Sequence, residues 1–472
     1  ALSEETTGEY SVAVGYQALA VQNSTTGASM YNTALGYKSG FSVTTGKNNT
    51  LVGGLAGDAL TDADNNVAVG LQALTTDTLG SRTIAIGQGA LENQNFTTAT
   101  NTYNVAVGHA AGGSITTGIH NVIVGGTAGD ALTDADYNTV LGSNALSADT
   151  LGSRSTAIGF NALATQNFTT ATNALNTAVG YAAGLNITTG QQNVAVGGDA
   201  LDALTVGSSN TAVGYQALTA DTQGQNSVAV GHNALATQNS TTTSNIYNTA
   251  VGSQAGLVVS TGQQNTIVGA LAGDALTEGD ANVLIGYRAA THDVDLITGS
   301  RVNVIGAFAD TSTTGATDAN VIGYNVSGAG GFTTLGSGSS DIRAANGTAT
   351  WAAVSDERYK KDITDSTLGL SFVNALQPRT FNYKTKGELP DTFRAYEEGS
   401  SEVYKSDQTQ HGFIAQEVKT AIDAASGVAD GFKMWAERDD GSQEVAEAAL
   451  IPMLVKAIQE LSAEIETLKS GG

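Results

Sequence analysis

Ser355 and Lys360 stand five positions apart in the stretch Ser355-Asp356-Glu357-Arg358-Tyr359-Lys360-Lys361. On spacing alone this reads as a hydroxyl at a helix N-cap, with acids in the first turn, where the positive end of the helix dipole favours them. The other residue types that do chemistry are scattered. Asp62-x-Asp64-x-Asn66 and Asp134-x-Asp136-x-Asn138 open like a calcium loop but lack its glycine and closing glutamate, so they read as turn-forming acids. His109, His120, His232, His292 and His411 fall at no ligand spacing and read as surface or packing residues. No spacing singles out a carboxylate pair for glycan hydrolysis. The expectation is no metal and no cofactor.

The same stretch is a boundary in composition. Before Ser355 the chain has no proline and only 7 Lys+Arg against 23 Asp+Glu. From Ser355 onward it has all three prolines, Pro378, Pro390 and Pro452, with 13 Lys+Arg and 21 Asp+Glu. Such a shift separates domains. We expect a repeat shaft over 1–330, a flexible connector over 331–354 carrying Gly336-Ser337-Gly338, and a smaller α+β domain over 355–472.

After Ser355 come Leu376-Gln377-Pro378-Arg379-Thr380-Phe381-Asn382-Tyr383 and then Gly412-Phe413-Ile414-Ala415-Gln416-Glu417-Val418. With the serine stretch, in this order, residues 355–472 resemble the endosialidase-type intramolecular chaperone found at the C-terminus of phage tail fibres and tailspikes. The motif positions are Asp356, Arg358, Gly412, Phe413, Gln416 and Glu417. The resemblance implies a domain that holds three chains together while the shaft folds, then cuts the bond between Val354 and Ser355. By motif position Ser355 is the nucleophile and Lys360 its basic partner. A serine hydroxyl needs its proton taken, and a lysine can take it only if burial or a neighbouring cation lowers its pKa. Lys361 and Arg358 are the nearest candidates for that cation. The only activity expected is this self-cleavage, with no turnover of an external substrate.

The terminal residues carry a second signal. Ile451, Leu454, Ile458, Leu461, Ile465 and Leu468 step by three and four, three heptads of coiled-coil seam. Ile at one seam position and Leu at the other leans toward two strands in simple coils, whereas the resemblance implies three.

Residues 1–330 are periodic. A phrase N-x-A-V-G-x-x-A returns eighteen times, its glycines including Gly15, Gly87, Gly159 and Gly231, which lie 72 residues apart. Within each 72 the spacings are 21, 17, 17 and 17, a superrepeat of four coils. One short β-type phrase per period marks a β-solenoid, and β-branched residues without a 3.6 periodicity argue against helices. In Asn104-Val105-Ala106-Val107-Gly108 the valines share one strand face, while Asn104, Ala106 and Gly108 share a small one. The small face is expected at a threefold axis or inside a narrow coil. Asn recurs four residues before the glycine, as in Asn32, Asn66, Asn104 and Asn138, and stacked amides predict an axial ladder, with Asn also suited to a left-handed corner. The phrase resembles the repeats of trimeric autotransporter adhesin heads. Every fourth coil carries four extra residues, as from Leu91 to Thr98, which predict loops on one face.

The fold expected is thus mainly β: a trimeric solenoid or β-roll shaft, then an α+β domain ending in a coiled-coil helix. A formal net charge of −24 argues against nucleic acid and against anionic membrane surfaces. No apolar run is long enough to span a bilayer, and residues 1–20 show no basic segment leading into an apolar one. The chain enters its first repeat by Gly15, so any attachment region is expected outside this sequence. These readings together suggest a homotrimeric phage tail fibre that binds a host-surface glycan or protein and resides in the virion after assembly in the host cytoplasm. The alternatives are a glycan-depolymerase tailspike and a bacterial trimeric surface adhesin.

Overall fold

A computed structural model describes residues 1–348, 350–353, 355–425 and 434–471. The chain divides into two compact units, Ala1–Val354 and Ser355–Gly472. Val354, one side of the expected cut, lies outside the described residues.

The first unit is a β-solenoid. Among the described residues its main sheet has 21 strands, all parallel and in register except the last two, Ser340–Ala345 and Ala352–Ala353, which run antiparallel. Each coil adds one strand, usually of three residues: Val105–Val107 pairs with Val122–Val124, and that with Thr139–Leu141. The middle residue points inward, and Ala106, Ile123 and Val140 are buried while their neighbours face out. The small face therefore lines the inside of a narrow coil; the apolar positions beside it lie on the outside.

Glycine ends each strand because no other residue fits. Gly142 has φ +141, and a Cβ there would sit 2.4 Å from the carbonyl oxygen of Gly159 in the next coil. Both facts exclude a side chain at this corner. Three residues on, alanine is buried, as at Ala111 and Ala145.

The asparagine ladder is present: long amide-to-amide bonds such as Asn121 Nδ2 to Asn104 Oδ1 at 3.4 Å accompany shorter rungs from side chain to backbone. Asn104 Oδ1 accepts the backbone N–H of Asn121 at 2.9 Å, and Asn121 Oδ1 accepts that of Asn138 at 2.9 Å. The Asn121 amide donates to the carbonyl of Ala135 at 2.7 Å. Each side chain thus satisfies backbone groups that the corner would leave buried and unpaired. The left-handed corner belongs to the residue before the Asn, as in Tyr103, His120 and Tyr137.

The stretch expected to be a flexible connector continues the sheet. Phe332–Ser337 pairs in parallel with Asn320–Tyr324, forming one coil beyond the eighteen counted by glycines, with Gly336 opposite Gly323. It then turns back through a two-residue hairpin at Gly338, φ +56, into Ser340–Ala345. The glycines and serines that suggested flexibility serve a tight turn. Trp351, near the end of this unit, is exposed.

The second unit is α+β. Helices α1 (Leu370–Ala375), α2 (Ala415–Ala424) and α3 (Ile451–Ser470) accompany two antiparallel pairs, Arg379–Phe381 with Gln410–Gly412 and Trp435–Glu437 with Gln443–Val445. Its core is small: Leu368, Phe372, Leu376, Val418, Ala421, Met434 and Leu450, with Phe413 and Met453 packed against it. No described helix is long and apolar enough to cross a membrane.

Candidate functional site

Ser355 and Lys360 meet. Lys360 Nζ donates to Ser355 Oγ at 2.7 Å across a single 3₁₀ turn, Glu357–Tyr359. The N-cap of that turn is Asp356, whose Oδ1 accepts the Arg358 N–H at 2.9 Å, so Ser355 is not the cap. The serine is left free of that duty and faces the lysine.

Arg358, a candidate cation for the site, is directed elsewhere. Its guanidinium holds Asp356 through Nε–Oδ1 at 3.0 Å and Nη2–Oδ2 at 2.6 Å. The guanidinium, then the Arg358 N–H and the nearby Lys360 charge, keep the Asp356 carboxyl below its ordinary range. Ser355, Arg358, Lys360 and Lys361 are all exposed in the single chain.

The later motif residues are brought together around one strand pair. Gly412 ends the strand that pairs with Arg379–Phe381, Phe413 packs on the core, and Gln416 and Glu417 lie in the first turn of α2. Arg379 grips Glu417 in a two-pronged ion pair, Nε–Oε2 at 2.9 Å and Nη2–Oε1 at 2.7 Å. The guanidinium holds the Glu417 carboxyl low. These residues build the unit and do not touch Ser355 through any observed hydrogen bond.

The seam of α3 is open. Ile451, Leu454, Ile458, Leu461, Ile465 and Leu468 are between 40% and 78% exposed, while Ala457 on another face is buried. The helix therefore meets its own domain with one face and leaves its apolar heptads exposed among the described residues.

In the shaft, sequence reasoning missed a buried carboxylate that returns once per superrepeat. Asp149 Oδ1 accepts the N–H groups of Gly152 and Phe168, each at 3.0 Å, and Oδ2 accepts Gln166 Nε2 at 2.5 Å. Gln166 also donates to Ser155 Oγ at 3.1 Å and accepts from Asn176 Nδ2 at 2.8 Å, carrying the ladder across the coil that has no asparagine. Asp77 with Gln94 and Asp221 with Gln238 repeat the arrangement. Burial pushes the Asp77 and Asp149 carboxyls up against the pull of these donors. The signal was available, since Asp and Gln recur at 72 residues with the glycines.

The calcium-like acids serve neighbouring coils. Asp134 Oδ1 accepts from Thr117 Oγ1 at 2.6 Å and Asp136 Oδ1 from the Ile119 N–H at 2.8 Å, while Asn138 is buried in the ladder and faces away from them. His292, Asp293 and Asp310 place ligand-type atoms within 4.8 Å of one another. The buried Asp310 already accepts the N–H groups of His292 at 3.1 Å and Asp293 at 2.6 Å, which makes it a cap for that turn.

The arrangement defines a class: a repeat β-solenoid joined to an α+β unit that opens on an exposed serine–lysine pair. Residues 355–427 match the family described as chaperone of endosialidase, and the match begins at that serine. No curated protein and no solved structure matches the chain significantly.

Proposed function

We propose that the chain is a segment of a homotrimeric phage-type fibre or spike whose C-terminal unit drives assembly and then cuts itself away between Val354 and Ser355. The observation that carries this reading is the 2.7 Å contact of Lys360 with Ser355 at the first residue of the chaperone-family match. Lys360, once neutral, takes the hydroxyl proton as Ser355 Oγ attacks the Val354 carbonyl and returns it to the departing Ser355 nitrogen, so that the C–N bond gives way to an ester. Water then splits the ester, leaving a carboxylate on Val354 and a free amine on Ser355. Because the pair is exposed in one chain, association comes first and supplies the desolvation. Cutting afterwards removes the route back and leaves a kinetically stable shaft.

Two apolar surfaces support association. One is the open seam of α3. The other is the outer strand face, where Leu35, Ile86, Leu141, Ile305 and Ile322, each third in its strand, are exposed apolar residues in one line along the sheet. Copies joined along that line bury it and keep the alanine face inside each coil. On this reading the released shaft resides in the virion and adheres to the host surface.

The test is the intact mass of fresh protein beside Ser355→Ala and Lys360→Ala. A fragment ending at Val354 in the wild type alone supports the reading. If all three remain full length, the peptidase reading fails and the terminal unit is a permanent assembly tip.

A further inference from the structure

The four-residue insertions differ among superrepeats in one respect. The residue two after the ladder glutamine is Ser24 in the first, Phe96 in the second, Phe168 in the third and Ser240 in the fourth. Phe96 and Phe168 are buried, at 7% and 5% exposure. Six residues on, the exchange is reciprocal: Thr102 and Ala174 follow the phenylalanines, while Met30 and Ile246 follow the serines. The serine versions sit at open grooves of about 260 Å³ and 170 Å³, three superrepeats apart.

We infer that these two grooves are saccharide-binding subsites, which deepens the adhesion part of the function proposed above and rests on it. Each has a buried aliphatic floor, Met30 or Ile246, beneath a polar rim. In the first groove the rim holds Thr26, Thr45, Lys47, Asp62 and Asp64; in the second, Thr242, Thr261 and Gln263. Hydroxyls, carboxylates and an amide converging on one small groove match a pyranose, whose ring edge presents hydroxyls that both donate and accept. The volumes hold several waters at roughly 30 Å³ each, enough for a sugar ring and not for an extended ligand. In the first groove two carboxylates, Asp62 and Asp64, outnumber the single cation Lys47, the second groove is uncharged, and the chain carries −24, a balance that favours neutral or amino sugars over uronic or sialic acids. The groove residues lie outside the three-residue strands whose outer face is proposed to associate.

The native repeats supply the test. Ser24→Phe with Met30→Thr reproduces the Phe96/Thr102 pairing, and Ser240→Phe with Ile246→Ala reproduces Phe168/Ala174, so both exchanges keep a packing the shaft already uses. Binding is read on immobilised neutral and N-acetylamino hexose oligosaccharides beside a polyuronic acid, with circular dichroism to check folding. The expected result is wild-type binding to the neutral or amino sugars, weakened by about tenfold or more when both exchanges are combined. Retention on a panel of whole bacterial cells, measured in parallel, tests adhesion by itself. Cell binding that survives both exchanges overturns the grooves and leaves adhesion standing. A wild type that prefers the polyuronic acid, or binds no saccharide, also overturns the inference, and absence of binding to every cell counts against adhesion as well.

Discussion

Between coils of the shaft, the strand ladder is reinforced by buried side chains that bond to backbone, from Asn104 to Asn121 to Asn138 and on through Gln166 to Asn176. In the terminal unit the side-chain links are mostly ion pairs at the surface: Arg379–Glu417, Lys386–Glu402, Arg438–Glu444 and Lys419–Asp423. Within the described shaft the ion pair is Arg301–Asp318, and His292 Nδ1 lies 3.1 Å from Asp293 Oδ1. Buried, fully satisfied polar groups fix one register and are expensive to break, whereas exposed pairs contribute little and are screened by salt. The difference suits a permanent rod and a part that is discarded. A misregistered shaft buries unpaired amides, while the terminal unit needs to hold only until the shaft is complete.

The largest effect expected is at a strand-ending glycine. Gly142→Ala forces a Cβ against the Gly159 carbonyl at an unfavourable φ and should destabilise the surrounding coils by roughly 2–4 kcal/mol. Gly126→Ala, with open space at its Cβ position, should change stability by less than about 0.5 kcal/mol. Melting temperature and protease cutting around the altered coil measure both, and equal effects would remove the close-approach argument. Next in size is Asn121→Ala, which leaves the Asn138 N–H and the Ala135 carbonyl buried without partners and should cost roughly 2–3 kcal/mol.

A third comparison uses pH, because the two units should respond with opposite sign. Asp77 and Asp149 are raised by burial when folded, so their stabilising contribution is fully present below the unfolded value of about 4 and declines as pH rises through the folded value. In the terminal unit Asp440 is lowered to about 2, chiefly by the Ser442 hydroxyl, and Arg379 holds Glu417 low. Those contributions are present above about 4 and are lost as pH falls through the folded values. Asp318, held low by Arg301, is a shaft group that goes with the terminal set. In uncleaved Ser355→Ala protein carrying Trp351→Phe, Trp435 fluorescence reports the terminal unit and β-sheet circular dichroism the shaft. Acidification from pH 4 to 2 should lower the first transition and spare the second.

How much was legible follows from where period dictates structure. Glycine spacing revealed the coils because each Gly corner meets the next Gly corner, and the 72-residue cycle survives in the Asp149–Gln166 network. The left-handed corner was expected at Asn and lies one residue earlier, where Tyr103, His120 and Arg154 all adopt it, so backbone closure and not residue type selects it. Alternation separated the faces of Val105-Ala106-Val107 but could not say which faced inward; the narrowness of the coil decides for alanine. In the terminal unit the seam of α3 was plain from its heptads. The Asp356–Arg358 pairing was hidden, since a contact two residues apart across a 3₁₀ turn leaves no periodic trace.

The smallest effect tests the other side of the comparison. Arg379→Ala removes both prongs from Glu417, yet the two side chains are substantially exposed, at 49% and 35%. The guanidinium and carboxylate regain water when parted, so the loss should be about 1 kcal/mol or less, and smaller still in high salt. Trp435 melting at low and high ionic strength measures it. A loss as large as that of Asn121→Ala, persisting in salt, would mean that this pair is buried in the assembled protein and that the terminal unit shares the shaft's mode of stabilisation. A small, salt-sensitive loss keeps the two units distinct, one held by satisfied amides in its interior and the other by a small apolar core dressed with weak surface pairs.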